Sequence, residues 1–452
     1  MTKKRKTLST THFIMLSFIA VIIIGSFLLV LPISSADGNS VSYIDALFTA
    51  TTATCVTGLV TLPTVSTWSV FGQAVILCLI QLGGLGVVTV MSGVMVALHK
   101  KMGISDRLLI QDAFNLNTLS GLVRFVKNVI SATFIVEGTG ALLYMTVFVP
   151  EYGVRGIWIS IFNSISAFCN AGIDIISPNS LCEYATNPVI NMVTSVLIIV
   201  GGIGYIVWWD VIRVIRIYRQ QGIKCFKRLS LHSKLALSMT GLLIVAGTLA
   251  FFLFEYSNEK TIGNLSLFDQ IQISFFQSVT TRTAGFATIP QENLTNASAF
   301  VSLVLMFIGG SPVGTAGGIK TITAMVLFLT AVAMVRNKND VTAFNRSIPP
   351  KAVKKAVAVF SMSFIIMFVS TVLLATVCDA PALDIIYETV SATATVGLTR
   401  NLTSTFNVWA KIIIIVTMYL GRIGPISLAV ALNMKKSSQN IVKTPIEEIS
   451  VG

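Results

Sequence analysis

Charged residues are scarce in this chain. Asp, Glu, Lys and Arg make up 11% of its 452 residues, and only three residues are histidine. A hydrophobic fraction of 54% and a mean hydropathy of +0.81 do not describe a soluble globular protein. His12, His99 and His232 each lie near a predicted helix end, so the sequence indicates neither a metal site nor a Ser-His-Asp triad. The composition therefore predicts a protein of the lipid bilayer.

The cysteines also lack the spacing of a metal site or a redox motif. No CxxC pair occurs, and most of the six lie in apolar segments or beside them. The six are Cys55, Cys78, Cys169, Cys182, Cys225 and Cys378. We expect free thiols, and we expect no cofactor to be held by this chain.

Apolar runs long enough to cross a hydrocarbon core of roughly 30 Å are abundant. The first, from Phe13 to Leu31, exceeds the apolar region of a signal peptide and has no small-residue cleavage pattern, so we expect it to be retained. The candidate spans are residues 12–33, 70–98, 129–149, 189–212, 235–254, 300–335, 352–378 and 409–432. The sequence thus predicts an all-α polytopic membrane protein with eight spans.

Basic residues account for the net charge of +13, and their distribution decides what that charge means. With eight spans and an inside N-terminus, five predicted cytoplasmic segments hold 25 of the 32 Lys and Arg residues. These segments are 1–11, 99–128, 213–234, 336–355 and 435–452. This is the positive-inside bias, which places both termini in the cytoplasm and explains the basic charge without a nucleic acid partner.

An internal repeat is the strongest pattern in the chain. Gly58, Gly172, Gly285 and Gly397 are separated by 114, 113 and 112 residues. An aromatic residue stands ten positions before each of them: Phe48, Phe162, Phe275 and Tyr387. One apolar span precedes each glycine and one follows it, which predicts four covalently linked units of helix, short loop segment and helix. The units are 12–98, 129–212, 235–335 and 352–434, followed by a cytoplasmic tail, 435–452.

The segment before each repeated glycine is rich in Thr and Ser, as in TATTATCVTGLV at 49–60. It is too short to span the bilayer, and irregular backbone cannot face lipid, because unsatisfied amides there cost several kcal/mol each. We predict a re-entrant hairpin with a short helix over about 45–54 and a returning strand over 55–58. Four such loops around a pseudo-fourfold axis form rings of carbonyl oxygens that replace the hydration shell of a monovalent cation. The alternative is a set of polar external loops with Thr-rich β-turns.

Six motifs together resemble those of the Trk/Ktr/HKT superfamily of potassium transporters, most closely the bacterial KtrB/KtrD type of translocating subunit. They are VTGL, CNAGID, TTRTAGF, ATVGLT, GGSPVGTAGGIKT and LGRIGP, at 56–59, 169–174, 280–286, 394–399, 309–321 and 420–425. The resemblance covers residues 12 to 434. It implies potassium uptake across the cell membrane, commonly sodium-dependent, with potassium and sodium as transported or coupling ions. It also implies a homodimer in the lipid bilayer that sits on a cytosolic ring of nucleotide-binding regulatory subunits.

The resemblance places the selectivity filter at the four glycine loops. The filter residues it implies are Cys55, Val56, Thr57, Gly58, Cys169, Asn170, Ala171, Gly172, Arg282, Thr283, Ala284, Gly285, Ala394, Thr395, Val396 and Gly397. Backbone carbonyls would coordinate the ion, so the side chains can differ between loops. Preference for potassium over sodium is implied by the family and not by the spacing.

The second helix of the third unit carries five glycines and a proline in its middle, which is very unfavourable for a helix. We predict a break into an intramembrane loop, 309–321, below the filter, and the resemblance assigns this loop the role of a gate. The gate residues are Gly309, Gly310, Ser311, Pro312, Val313, Gly314, Thr315, Ala316, Gly317, Gly318 and Lys320, together with Arg422 on the fourth unit. The alternative is a packing break of small residues that lets helices approach closely. The glycine pairs of the other three units fit that alternative.

Four charged residues within spans or loops need a role, because charge in the bilayer is costly. Arg422 could hydrogen-bond gate-loop carbonyls or form a positive barrier, and the resemblance supports the barrier. Lys320 either snorkels or touches the gate loop. Glu137 is interpreted as a helix-packing residue, and Arg282 is expected to point behind its loop toward an acid.

Other functions remain in view. A sodium-preferring or nonselective cation pore is the nearest alternative, and a secondary transporter of an organic solute is a second. A membrane enzyme would need a cluster of titratable groups facing a cavity, which the sequence does not show. The basic connections 213–234 and 336–355 are the surfaces we expect to meet a regulatory subunit, unless their charge serves orientation alone.

Overall fold

The computed structural model describes residues 10–98, 121–222 and 227–424, together with positions 103, 107, 108 and 111. The predicted tail, 435–452, and the end of the last predicted span lie outside these residues. Within them the protein is almost entirely helical, and the sheet structure consists of two short antiparallel strands, β1 (Thr342–Ala343) and β2 (Arg346–Ser347). Thr342 pairs with Ser347, and Ala343 pairs with Arg346.

The described residues contain sixteen α-helices with defined bounds, nine of them in the first half of the chain. They are α1 (Thr10–Val30), α2 (Tyr43–Cys55), α3 (Thr64–Thr67), α4 (Val70–Leu85), α5 (Val87–Ala97), α6 (Leu122–Tyr152), α7 (Val154–Cys169), α8 (Pro188–Ile203) and α9 (Tyr205–Gln221). Short 3-10 turns occur at Pro32–Ser34 and Cys182–Tyr184.

The second half forms seven more. They are α10 (Leu231–Glu255), α11 (Leu267–Thr280), α12 (Asn296–Phe307), α13 (Thr321–Val335), α14 (Pro350–Ala375), α15 (Ala382–Ala394) and α16 (Val408–Ile423). Further 3-10 turns occur at Gln291–Asn293 and Thr403–Thr405.

Four single helices are long and apolar enough to cross a membrane: α1, α6, α10 and α14. Two bent pairs, α4 with α5 and α8 with α9, are also long and apolar enough if each is counted as one span, and they turn by 97° and 99°. They lie at the predicted spans 70–98 and 189–212. The bends occur at Gly86 and Gly204, whose φ values of 84° and 94° are strained for any residue with a Cβ.

By length and composition the described residues therefore contain four to six spans. The predicted span 300–335 is divided between α12 and α13, and the described part of 409–432 ends at 424. The eight-span count stays a prediction, as does the cytoplasmic position of both termini.

Four short helices, α2, α7, α11 and α15, each follow a long helix and lie largely buried in the interior. Asp45, Asp269 and Asp384 stand in the first turn of three of them, where the helix dipole favours an anion. The N-cap positions of these helices are Ser42, Ser266 and Pro381. Ser266 accepts the amide hydrogen of Asp269, as an N-cap serine should.

The interior between the long helices is mixed in polarity. Phe48, Phe162 and Tyr387 on the short helices are fully buried, and threonine hydroxyls from the ends of the same helices are buried beside them. Buried hydroxyls need partners or a ligand, since each costs free energy when it has neither. The polar interior therefore marks the region where the four short helices end.

Candidate functional site

The backbone has the same shape at the end of each short helix. The residue two positions before each repeated glycine has a positive φ, and so does the glycine itself. The preceding residues are Val56 at 56°, Asn170 at 60°, Thr283 at 64° and Thr395 at 52°. Their glycines follow at 95° for Gly58, 64° for Gly172, 85° for Gly285 and 97° for Gly397. Four copies of one unusual backbone conformation are thus present on four different segments.

The four glycines meet in a closed ring. A Cβ atom added to Gly58 would lie 2.5 Å from the carbonyl oxygen of Ala171, the residue before Gly172. The same contact recurs from Gly172 to Ala284 at 2.4 Å, from Gly285 to Val396 at 2.4 Å, and from Gly397 to Thr57 at 2.3 Å. Each loop therefore touches the next one in chain order, and the fourth touches the first. We call Gly58, Gly172, Gly285 and Gly397 the glycine ring.

The amide groups of the loops bond back to their own helices. The N–H groups of Thr57, Ala171 and Val396 each donate to a carbonyl of their short helix at 2.8 Å. Gly58 and Gly397 donate to the side-chain hydroxyls of Thr52 and Ser391, each at 3.0 Å. The threonine and serine residues near the helix ends thus hold the returning strands in place.

The carbonyl groups of the same loops are unused. Within the described residues, no backbone N–H donates to the carbonyls of Thr57, Ala171, Ala284 or Val396. Several buried hydroxyls nearby also lack a partner: those of Thr54, Thr57, Thr283, Thr393 and Thr395. A ring of free oxygen atoms in a buried position can coordinate a dehydrated monovalent cation. No group of three or more His, Cys, Asp or Glu side chains able to hold a metal occurs in this part of the chain.

Arg282 departs from the expectation that it would face an acid. Its terminal nitrogen Nη2 is 3.3 Å from the carbonyl oxygen of Gly309 and 3.4 Å from the hydroxyl of Thr240. No carboxylate pairs with it among the described residues, and its Nε has no partner. The guanidinium lies behind the third loop and just beyond the C-terminus of α11, where the negative end of the helix dipole favours a cation.

The predicted helix break between Phe307 and Thr321 is present. The two edges of the break pair with each other, since the N–H of Gly309 donates to Ile319 and the N–H of Ile319 donates to Phe307. The loop between them is bound to the bend between α8 and α9. Its Ser311 and Thr315 amides donate to Gly202 and Gly201 at 2.8 and 3.2 Å. The loop is therefore an ordered, hydrogen-bonded segment; we call residues 309–320 the broken-helix loop.

Two basic side chains bind carbonyls of the broken-helix loop: Arg422 from α16, and Lys320 from the end of the loop itself. Arg422 donates from Nη1 to the carbonyl oxygen of Thr315 at 2.6 Å and from Nη2 to the carbonyl oxygen of Gly83. Lys320 donates from Nζ to the carbonyl oxygen of Ala316 at 2.6 Å. Both side chains line a cavity of about 420 Å³. Of the two interpretations of Lys320, the structure shows contact with the loop.

The glycine pairs of the other units allow close packing, as the sequence indicated. A Cβ atom added to Gly83, Gly201 or Gly421 would lie 2.0 to 2.2 Å from a carbonyl oxygen at the end of a short helix. The oxygens belong to Thr54, Phe168 and Thr393. These glycines therefore let the second helix of a unit contact the backbone directly behind its own loop.

Glu137, interpreted as a packing residue, lies buried between helices. Its two carboxylate oxygens accept hydrogen bonds from Nε2 of Gln81 at 3.1 and 3.2 Å. Since Glu137 is on α6 and Gln81 is on α4, the pair joins the first two units. The side chain does not lie at the glycine ring.

Several polar contacts around the ring were missed by sequence reasoning. Asp45 accepts hydrogen bonds from Lys411 at 2.5 Å and from Thr61 at 2.8 Å. Asp384 accepts from Arg400 at 2.6 Å. Asp45 and Lys411 are 366 residues apart in the chain, so no local sequence pattern reveals this pair. The recurrence of Asp in the first turn of α2 and α15 was the available signal.

Asp174 lies two residues after Gly172, outside the helices that cross the membrane. Burial raises the pKa of its carboxyl to about 6, although hydrogen bonds from Ser180 and from the backbone N–H of Ile176 act in the opposite direction. The nearby charge of Glu183 raises this pKa further. Asp174 is therefore a group beside the glycine ring that changes charge in mildly acidic solution.

Comparison with solved structures supports the fold. The crystal structure of the potassium transporter TrkH from Vibrio parahaemolyticus superposes with a TM-score of 0.74 at 17% sequence identity. The match covers 96% of this chain and 86% of that chain. At this identity the likeness concerns the arrangement of the helices.

Comparison with known sequences identifies the family. The chain is 40% identical over 438 residues to the Ktr system potassium uptake protein B of Bacillus subtilis, covering 97% of this chain and 95% of that protein. It is 37% identical over 454 residues to the potassium/sodium uptake protein NtpJ of Enterococcus hirae, covering 99% and 98%. These relatives are ion transporters of the membrane and not enzymes. The family model for TrkH, a cation transport protein, matches residues 3–444, so this multi-pass plasma-membrane protein belongs to the TrkH family of cation transport proteins.

Proposed function

We propose that this chain takes up potassium across the cell membrane, and that the ion passes through the glycine ring. The closed ring of contacts among Gly58, Gly172, Gly285 and Gly397 is the observation that carries the proposal. It gathers unused carbonyl oxygens from four segments around one point, which is what coordination of a bare monovalent cation requires. The four units then surround a pseudo-fourfold pore. The relatives named as potassium uptake proteins support the choice of ion.

The broken-helix loop acts as the gate of this pore. It is hydrogen-bonded to the bend between α8 and α9, and it contacts α16 through Arg422. A Cβ atom added to Gly317 would lie 1.9 Å from the hydroxyl of Thr395, so the loop also touches the filter region. Arg422 holds the loop and adds a positive charge, which repels a cation that enters the cavity beneath.

Uptake depends on sodium in this proposal, as the family resemblance implies. A sodium-permeable pore is the second candidate, because one relative of 37% identity is named a potassium/sodium uptake protein. The ring contacts differ by only 0.2 Å among the four loops, and such geometry does not by itself separate the two ions. The ion preference is therefore a matter for transport measurements.

Partner chains complete the system. The relative in Bacillus subtilis is named as one protein of a Ktr system, which supports a further subunit. We propose a homodimer of this chain on a cytosolic ring of nucleotide-binding regulatory subunits. The exposed cytoplasmic hairpin of β1 and β2, with Arg346 at its surface, lies in one of the basic connections expected to meet that ring.

The test is potassium uptake with and without sodium in cells that lack their own potassium uptake systems, comparing the wild type with Gly285→Ser. At Gly285 a side chain meets the carbonyl of Val396 in a backbone conformation with φ of 85°. Strain of this kind costs about 1–3 kcal/mol, so we expect uptake to fall by about tenfold or more.

Gly38→Ser is the matched control. Gly38 has a similar φ of 70°, but nothing lies within 4 Å of an added Cβ. It carries the same backbone strain without any contact to the glycine ring, and we expect near-normal uptake. Wild-type cells that take up no potassium, with a Ktr-type regulatory subunit present, would contradict the proposal, and uptake of sodium alone would favour the second candidate.

A further inference from the structure

The fourth short helix differs from the other three at one buried aromatic position. The residue ten positions before the ring glycine is Phe48, Phe162 and Phe275 in the first three units, and it is Tyr387 in the fourth. Tyr387 is fully buried, as are Phe48 and Phe162, whereas Phe275 is half-buried. A hydroxyl buried this deeply costs free energy unless it finds a partner. The hydroxyl of Tyr387, which the phenylalanines lack, therefore needs a hydrogen-bond partner.

The hydroxyl reaches the neighbouring unit. Tyr387 donates to Oε1 of Gln291 at 3.0 Å, and Gln291, six residues after Gly285, is the first residue of the 3-10 turn that follows the third loop. Gln291 is itself buried and forms a paired amide contact with Gln277 of α11, at 2.6 and 3.2 Å. The hydrogen bond from Tyr387 therefore joins the fourth short helix to the third loop through a fixed amide group.

A second contact joins the same two units. Arg400, three residues after Gly397, donates from Nη1 to the carbonyl oxygen of Gln291 at 2.9 Å and from Nε to Asp384 at 2.6 Å. Both the side chain and the backbone of Gln291 are thus bound by the fourth unit. Among the described residues, no side chain of the second unit donates to the side chain of Gln291. Of the two neighbouring units, the fourth is therefore the one that binds this side chain.

We propose that the hydrogen bond between Tyr387 and Gln291 sets the spacing between the third and fourth loops of the glycine ring and thereby the discrimination between cations. Tyr387 and Gln291 are positioning residues, because they act on the ion through the loop carbonyls. This inference rests on the proposed function. The third and fourth loops meet at Gly285 and the carbonyl of Val396, and the hydrogen bond from Tyr387 to Gln291 joins the same two units, so its loss changes the positions of these two loops relative to each other.

Loss of this hydrogen bond makes the contact between the third and fourth loops less rigid, whereas the other three contacts of the glycine ring keep their bonds. A less rigid set of carbonyls discriminates less well between cations of different radius, whereas the number of oxygens stays the same. Tyr387→Phe removes only the hydroxyl and gives the fourth unit the residue that the other three already have. If the net free energy of one hydrogen bond contributes to ion discrimination, the ratio of the KM values for two cations changes by about three- to tenfold.

The experiment measures the apparent KM for potassium, rubidium and caesium at fixed sodium in cells that lack their own potassium uptake systems. The variants are Tyr387→Phe, Gln291→Leu and the double variant, each with its membrane protein level determined. We expect the ratio of the caesium KM to the potassium KM to fall by about three- to tenfold in Tyr387→Phe. Because the residues act as a pair, the double variant should be no worse than Gln291→Leu alone.

Thr371→Val is the control, since the hydroxyl of Thr371 contacts that of Thr389 at 2.7 Å, and its loss removes a hydrogen bond of the fourth short helix that lies within the fourth unit. It should leave the KM ratio unchanged. Three results would overturn the inference while the proposed function stands. They are an unchanged KM ratio in Tyr387→Phe, a loss of uptake explained by the protein level alone, and a double variant in which the effects of the two substitutions multiply. Absence of potassium uptake by the wild type would instead overturn the proposed function.

Discussion

At Arg422, the contacts of one residue suggest two separable effects. Its guanidinium binds the carbonyls of Thr315 and Gly83, and its charge faces the cavity beneath the ring. Lysine keeps the charge but cannot bind two carbonyls with a planar fork. Substitution by lysine and by alanine can therefore distinguish the positive barrier from the attachment of the loop.

We predict that Arg422→Ala raises the maximal rate of potassium uptake several-fold, because both the barrier and the loop attachment are lost. Arg422→Lys should give an intermediate rate if the charge contributes to the barrier. The measurement is the initial rate of uptake at saturating potassium, corrected for protein level. A rate for Arg422→Ala equal to that of the wild type would rule out both effects.

Asp174 adds a dependence on external pH. Because burial raises the pKa of its carboxyl to about 6, the group is ionised in neutral solution and loses its negative charge as the pH falls through that value. A carboxylate beside the ring attracts cations, so its protonation should raise the apparent KM for potassium. The measurement is KM at several external pH values, in the wild type and in Asp174→Asn.

Asp174→Asn should abolish the pH response and give at neutral pH the KM that the wild type has in acid. Glu183→Gln is the companion variant. Since the charge of Glu183 raises the pKa of Asp174, its removal should move the midpoint to lower pH without removing the response. A wild-type KM that is constant across this range would refute the role of Asp174.

At the scale of the element, the broken-helix loop is the segment whose sequence departs most from helix propensity. Its hydrogen bonds run to other units, at Gly201 and Gly202, and to Arg422. Because these bonds run to other units, the segment can be displaced without unfolding the helices on either side. This property suits a gate.

We predict that deletion of 312–314 raises potassium flux, because the shortened loop no longer reaches its partners on the α8–α9 bend. Deletion of 37–39, three consecutive exposed residues, is the control of equal length and should leave flux unchanged. The measurement is the maximal uptake rate at matched protein level. Lower flux in the deletion of 312–314 would indicate that the loop supports conduction rather than limiting it.

At the scale of the whole molecule, the ring must be closed between the fourth and first units, which are the most distant in the chain. The ion pair between Lys411 and Asp45 joins them, and the two side chains are only 14% and 12% exposed. Removing one partner of a largely buried pair leaves an uncompensated charge, which is strongly destabilising.

Lys411→Met should therefore lower the thermal unfolding midpoint in detergent by several degrees, as followed by tryptophan fluorescence. The double variant Asp45→Asn with Lys411→Met should recover part of the loss, since neither charge is then left unpaired. If the double variant is less stable than Lys411→Met alone, the pair is not what joins the two units.

Much of this arrangement is determined locally, which explains why the sequence could reveal it. The Thr-rich stretches, the repeated glycines and the glycine-rich third unit predicted short helices, positive φ values and a helix break, and all three are present. These features depend on residues within one turn or one strand of each other. Backbone conformation at Gly285 or Gly397 follows from the absence of a Cβ, which a sequence states directly.

The remaining features required the tertiary structure. The bends at Gly86 and Gly204, the missing acid near Arg282 and the bond from Tyr387 to Gln291 depend on neighbours that are distant in the chain. The sequence by itself determined that this is a membrane protein with four glycine loops, because composition and internal repetition are properties of the chain. Only the tertiary structure decided which loop touches which and which polar group meets which partner, because those contacts depend on how the units pack around a common axis.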